Sequence, residues 1–378
     1  MKKINYIFIL FAALFCSCNE IPQPGSETEI TLPTNPYIYF DAAINSRAAL
    51  ESGSTLEDDF AVYGYTYEFN NTWETYRVTA KPNVFDNVPQ NVTYSKGNYT
   101  YTPIKEWQGG KYTFFAVFPQ DLDVSKDVEG TPYVNYNLNF NKAERHIDIM
   151  TAMFEDTSLS SSPYVYFDFY HRLSAVDVVA LNFYEHSYDD PNAENTVITE
   201  KATIELVDLS LDFENVQYKS AKIYMDRRMS SVRTDADPGT NPTYNIYEID
   251  DAGYRFEIDY NNDATLKPVS SVFGKSMIFI PQENTDLKVT TNVSYRIEVS
   301  NEYGTTYLPV TDEDGNIVTD ANDNPVTVFT QTITTPFNQP LKEGSRYYIQ
   351  MTFTSSAVSI NIITSEEWDE KPVDYEFE

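Results

Sequence analysis

Apolar side chains recur at every second position along most of this chain, and no stretch repeats them at helical spacing. Val165, Phe167 and Phe169 alternate with Tyr164, Tyr166 and Asp168, and Tyr347, Ile349, Met351 and Phe353 repeat the pattern near the other end. A period of two places successive side chains on opposite faces of an extended backbone, which is the pattern of a half-buried strand. The composition agrees: 30 Tyr and 23 Phe favour strands, and 41% apolar residues suffice for a real core. The fold class is therefore all-β. At 378 residues, one large or two medium domains are expected.

The first strand of the mature body reads as 37–48. Ile38, Phe40, Ala42 and Ile44 share one face, and Tyr37, Tyr39, Asp41, Ala43 and Asn45 the other. Further strands are expected at Phe60–Tyr67, with Trp73 continuing the pattern, and on both sides of a Lys96-Gly97-Asn98 turn. Lys111–Pro119 is apolar enough to be a central strand covered on both faces, with Pro119 closing it. Others fall at Tyr133–Phe140, Tyr164–Phe169, Ala175–Phe183, Ala202–Phe213, Ala221–Met225, Tyr254–Tyr260, Ser276–Pro281, Val293–Val299, Tyr347–Phe353 and Val358–Ile363. Ser187–Asn195 and Arg227–Asn241 read as loops, and Asp312–Pro325 as a hairpin connection turning at Asp314-Gly315. His171-Arg172-Leu173-Ser174 interrupts the pattern, so a domain boundary is placed there, between 37–172 and 173–378.

Residues 1–17 read as an export signal. Lys2 and Lys3 precede an apolar stretch, Ile4–Phe15, that is too short to span a bilayer. It runs into Phe15-Cys16-Ser17-Cys18, which resembles a bacterial lipobox. A small residue before the acylated cysteine is met better by Ser17–Cys18 than by Phe15–Cys16, so Cys18 is the expected lipidation site and outer-membrane lipid a partner. More than one acyl chain makes such anchoring stable. Residues 18–36, with Pro22, Pro24, Pro33 and Pro36, form an extended spacer. No cysteine follows Cys18, so the body has no disulfide framework.

A net charge of −31 disfavours nucleic acid as a partner, since phosphate binding requires clustered Lys and Arg. No nucleophile elbow, zinc-protease helix, phosphate loop or dinucleotide fingerprint is present, so no catalytic residue, metal ligand or cofactor is assigned and the chain is read as a non-enzyme. His171, at a strand end, reads first as a packed histidine. Asp312-Glu313-Asp314-Gly315-Asn316 has alternating oxygen ligands, but its glycine is not where a calcium loop needs it, and a surface turn is the first reading. Arg47 reads equally as a solvated loop residue or as a protease site at Arg47–Ala48 in an accessible Ser/Gly-rich stretch.

Taken together, several motifs resemble the fimbrillin family of Bacteroidales type V pili, including its Mfa-like and FimA-like members. They are the lipobox at Cys18, Ile38-x-Phe40 before Ser46-Arg47-Ala48, and Tyr99-x-Tyr101-x-Pro103-x-x-x-Trp107 before Lys111–Pro119. Val165-x-Phe167-x-Phe169-x-His171-x-Leu173-Ser174, Ile280-Pro281-Gln282 and Ile360-x-Ile362 to Trp368 complete the set. The resemblance implies two tandem transthyretin-like β-sandwich domains, export as a lipoprotein to the outer-membrane surface and assembly with other fimbrial subunits in adhesion. It further implies cleavage after Arg47, loss of the first strand carrying Ile38, Phe40, Ala42 and Ile44, and its replacement by a strand donated from another subunit. Val358, Ile360 and Ile362, or the tail residues Val373, Tyr375 and Phe377, have the alternation a donor needs. Few residues follow Trp368, so shaft, tip and anchor roles all stay open. The alternative is a non-polymerising surface lipoprotein whose aromatics capture a glycan or a host protein.

Overall fold

A computed structural model describes residues 36–44, 54–138, 146–159, 163–182, 187–189, 197–199, 201–236, 242–248, 254–257, 276–301, 304–353 and 358–365. Among the described residues, ten strands precede residue 172: β1 (Tyr39–Ile44), β2 (Ser54–Thr55), β3 (Phe60–Tyr67), β4 (Gln90–Ser95), β5 (Asn98–Thr100), β6 (Lys111–Phe118), β7 (Val124–Lys126), β8 (Pro132–Asn137), β9 (Met150–Thr157) and β10 (Tyr164–His171). Eight of them form one sheet in the order β2-β1-β10-β9-β6-β3-β4-β5. Every neighbouring pair in this sheet is antiparallel except β1 and β10, which run parallel from Tyr39↔Tyr164 to Ile44↔Phe169.

This sheet divides two cores. Phe60 and Val62 of β3, with Tyr112, Phe114 and Ala116 of β6, pack inward with Ile38, Phe40, Ala42, Val165, Phe167 and Phe169. Ala61, Tyr63, Tyr65 and Tyr67 of β3, with Phe115 and Val117 of β6, point the other way into a larger core shared with residues beyond 172. β6 is thus covered on both faces, as its near-continuous apolar run requires. The sheet also curls: the Tyr99 hydroxyl of β5, at one end of the strand order, donates to the Ala42 carbonyl of β1 near the other, at 3.1 Å.

The remaining strands are β11 (Ser174–Asn182), β12 (Ser187–Asp189), β13 (Val197–Thr199), β14 (Lys201–Glu214), β15 (Tyr218–Tyr224), β16 (Val232–Asp235), β17 (Thr243–Glu248), β18 (Tyr254–Glu257), β19 (Met277–Phe279), β20 (Lys288–Asn301), β21 (Gly304–Tyr307), β22 (Phe329–Pro336), β23 (Arg346–Phe353) and β24 (Val358–Ser365). β19-β11-β23-β24 form one sheet, and β17-β14-β20-β21, with β18 on β14 and β22 on β20, form another. Both contribute to the larger core. In β14 the apolar alternation changes phase between Leu206 and Leu209. A bulge between Leu206 and Asp208 absorbs the extra residue, so Ile204, Leu206, Leu209, Leu211 and Phe213 all stay buried.

The expected 172/173 boundary falls in the short link between β10 and β11. Strand pairing crosses it, because β16-β15-β8-β7 form one sheet and β8 is laddered to β15. The buried Arg172 side chain lies at this link. Its Nη1 donates to Thr151 Oγ1 at 3.0 Å and to the Tyr224 carbonyl at 2.6 Å, and its Nε pairs with Glu343 at 2.8 Å.

Four expectations are corrected. Trp73 begins a one-turn helix, Trp73–Tyr76, because the Thr72 and Thr75 hydroxyls cap its first turn reciprocally. The polar stretches read as loops contain β12 and β16. Asp312–Pro325 is not one hairpin but two successive turns of the same build. Asp312 accepts from the amides of Asp314 and Asn316, and Asp320 from those of Asn322 and Asn324. Among the described residues no group of acidic, histidine or cysteine side chains could hold a metal ion, and no helix is long and apolar enough to cross a membrane.

Candidate functional site

β1 is seated by its side chains more than by its backbone. Ile38 is fully buried, Phe40 and Ala42 nearly so, and Ile44 packs against the same cluster. The Phe40 ring is at the centre: it stacks on Phe167 at 5.7 Å, meets Phe114 edge-on at 5.8 Å, and lies 5.2 Å from Tyr101 and 6.2 Å from Phe85. Burying an Ile or Phe side chain contributes roughly 1.5–3 kcal/mol, so the apolar face of this short strand is a substantial fraction of a domain's net stability.

The backbone of β1 is held unevenly. On one edge it has the full parallel ladder to β10, extended by the Tyr39 amide donating to the Pro163 carbonyl at 3.1 Å. The other edge lies on the seam where the sheet curls back on itself. There, among the described residues, β2 pairs with Ala43 and Ile44, the Leu56 amide just beyond it donates to the Ala42 carbonyl at 3.4 Å, and Tyr37 makes an isolated bridge to Glu106. Tyrosine hydroxyls add to these backbone bonds. Tyr101 donates to the Ile38 carbonyl at 2.9 Å, and Tyr99 donates to the carbonyls of both Ala42 and Leu56. The Ile38 amide donates to the Lys105 carbonyl at 2.9 Å. Burial pushes the Tyr101 hydroxyl up to about 12 and Tyr99 further, so both stay protonated donors far above neutral pH.

The expected site residues divide into three groups. Ile38, Phe40, Ala42 and Ile44 are brought together on one buried face. Val358, Ile360 and Ile362 lie in β24, an edge strand laddered to β23, with Val358 and Ile360 buried. Cys18, Arg47, Ala48, Val373, Tyr375 and Phe377 lie outside the described residues. His171 is a packed strand-end residue whose Nδ1 is 2.7 Å from Asp148 Oδ2. Tyr99 and Tyr101 also belong to the site; their alternation is legible in the sequence, but the carbonyls they serve are far upstream.

The fold and seam define an all-β protein whose N-terminal sheet encloses a first strand that is buried by its side chains, fully laddered on one edge and partly on the other. Comparison with known families matches the Fimbrillin-like family over residues 46–368. The chain belongs to the fimbrillin-like family, whose members are structural rather than enzymatic proteins of the cell-surface fimbrium. Among solved structures, a fimbrial protein of Bacteroides vulgatus is similar at 18% identity and a TM-score of 0.53, covering 89% of this chain and 100% of that one. A candidate cell adhesion protein of Bacteroides ovatus is similar at 14% identity and a TM-score of 0.47, covering 89% and 98%. Another from Bacteroides uniformis gives 12% identity and 0.41, covering 89% and 100%. The first of these likenesses supports the fold. No curated protein matches the chain.

Proposed function

We propose that this chain is a fimbrial subunit that assembles by exchange of β1 and serves adhesion at the cell surface. It is exported as a lipoprotein acylated at Cys18 and held off the outer membrane by the spacer 18–36. Cleavage at Arg47–Ala48 then separates β1 from the body, and β1 leaves. The groove it vacates, lined by Phe114, Phe167 and their neighbours, is filled by an alternating strand from another subunit.

The observation that carries this reading is the seating of β1: a deeply buried apolar face combined with a backbone edge closed by tyrosine hydroxyls. Removing β1 exposes an apolar groove and the unpaired edge of β10, both strongly unfavourable. A donated strand restores the burial and the ladder together, which is β-augmentation. It also finds the Tyr99 and Tyr101 hydroxyls ready to close its far edge. The start of the family match at residue 46, just beyond β1, is in keeping with this division. Val358 and Ile360 already fill a place in their own sheet. The donor role therefore falls to the tail, with Val373, Tyr375 and Phe377.

The test is treatment of the exported protein with an Arg-specific protease. Release of the segment before Ala48 with SDS-resistant multimers is expected, and Arg47→Ala should leave the protein monomeric and membrane-bound. A protein that is cut and stays monomeric would rule out strand exchange.

A further inference from the structure

The outer face of β10 carries features that seating β1 does not use. Tyr164, Tyr166 and Asp168 are exposed, Tyr170 is partly so, and alternation places all four on the side opposite Phe167 and Phe169. The parallel register sets Tyr39 beside Tyr164 and Asp41 beside Tyr166 on that face. The rings contact one another in a row: Tyr39 to Tyr164 at 5.3 Å with 31° between planes, and Tyr164 to Tyr166 at 6.1 Å with 34°. Tyr164 and Tyr166 keep 44% and 52% of their surface in water, although their strand's other face is fully buried.

The row runs into a cleft of about 260 Å³ between the sheet and the turn after β15, bordered by Asp168, Tyr170, Glu155 and Arg228. Arg228, Asp226 and Glu155 at the border of this cleft are already paired. Arg228 makes paired bonds to Asp226 (2.9 and 2.7 Å) and to Glu155 (2.9 and 3.3 Å). The Arg227 guanidinium lies 4.0 Å above the Tyr170 ring. A site whose side chains are held before the ligand arrives loses less entropy on binding.

We infer that this row and cleft form a binding site for a neutral glycan, with Tyr164 and Tyr166 stacking on pyranose faces and Asp168 accepting hydrogen bonds from sugar hydroxyls. The charge pattern selects the ligand class. Glu155, Asp168 and Asp226 outnumber Arg227 and Arg228, Arg228 is neutralised by two carboxylates, and the whole chain carries −31. Sialylated or sulfated glycans are therefore repelled, whereas a neutral sugar brings hydroxyl donors to carboxylate acceptors and apolar ring faces to tyrosine. The inference requires surface display but not strand exchange, and it is read on the uncut monomer.

The experiment incubates the purified full chain with an array of neutral, sialylated and sulfated glycans, then measures affinity for the retained glycans in wild type, Tyr166→Ala and Asp168→Asn. Retention of neutral hexose glycans is expected, weakened at least tenfold in each variant with an unchanged melting temperature. Retention of no neutral glycan, preference for anionic glycans, or equal binding by the variants would overturn it. Self-association that Tyr166→Ala abolishes, with no glycan retained, would assign the row to a second copy of the chain and equally overturn it.

Discussion

Truncating Phe40 to alanine probes the seating of β1 at its centre. Phe40 is 5% exposed and touches rings on four separate segments of the chain, at Phe85, Tyr101, Phe114 and Phe167. Replacing a buried Phe with Ala removes its transfer free energy and leaves a cavity, together about 3–5 kcal/mol. Rings spread over four segments cannot all close on the vacancy, which argues for the upper part of that range. Whole domains hold only about 5–15 kcal/mol, so the loss should appear first as local release of β1 rather than global collapse. Native-state hydrogen exchange reads this directly. The amides of Ile38 and Tyr39, which donate to Lys105 and Pro163, should lose protection by roughly a hundredfold to a few thousandfold, the same energy expressed as a ratio. Amides of β6 should lose much less. Asp41→Asn, on the exposed face, should change stability by no more than about 0.5 kcal/mol. A loss below about 1 kcal/mol for Phe40→Ala, or equal loss of protection in β1 and β6, would refute the reasoning.

Tyr101→Phe removes the hydroxyl that closes the Ile38 carbonyl and should destabilise β1 by about 0.5–1.5 kcal/mol without disturbing the ring contact to Phe40, measured by urea unfolding and by protease release of the N-terminal segment. Alkaline pH acts on the same bond. The Tyr101 hydroxyl sits at about 12 in the fold against an ordinary 10, so the folded state binds its proton more tightly. That stabilisation is complete below pH 10 and is lost as pH rises towards 12; ultraviolet titration should find Tyr101 shifted back towards 10 once β1 is removed. Glu343→Ala leaves the buried Arg172 guanidinium without its ion-pair partner and should lower stability by about 3 kcal/mol in chemical denaturation.

Much of this architecture is written in local alternation. β3, β6, β10, β23 and the buried face of β1 are legible because one residue in two, or nearly every residue in β6, is apolar. β9 escaped because Met150-Thr151-Ala152-Met153-Phe154-Glu155 buries both faces at its start and then turns polar, so no period stands out. β12 and β16 are short and polar, and only their pairing partners make them strands. The turns at Asp312 and Asp320 repeat one build, but a single Asp-Gly pair in the first draws attention to a hairpin instead. The candidate site was legible on its apolar side only. Nothing local tells that Tyr99 and Tyr101 donate to carbonyls more than fifty residues upstream, because that contact exists only after the sheet curls. The tyrosine row on β10 is equally nonlocal, since the polar half of an alternating strand looks the same whether it faces water or a ligand.

The proposed exchange makes β1 a strand built to be replaced, and N-terminal sequencing of this subunit recovered from assembled surface fibres tests it. A sequence beginning at Ala48 is predicted, with the body held in SDS-resistant multimers. A fibre-borne subunit that begins at the acylated Cys18, with β1 retained, would contradict it.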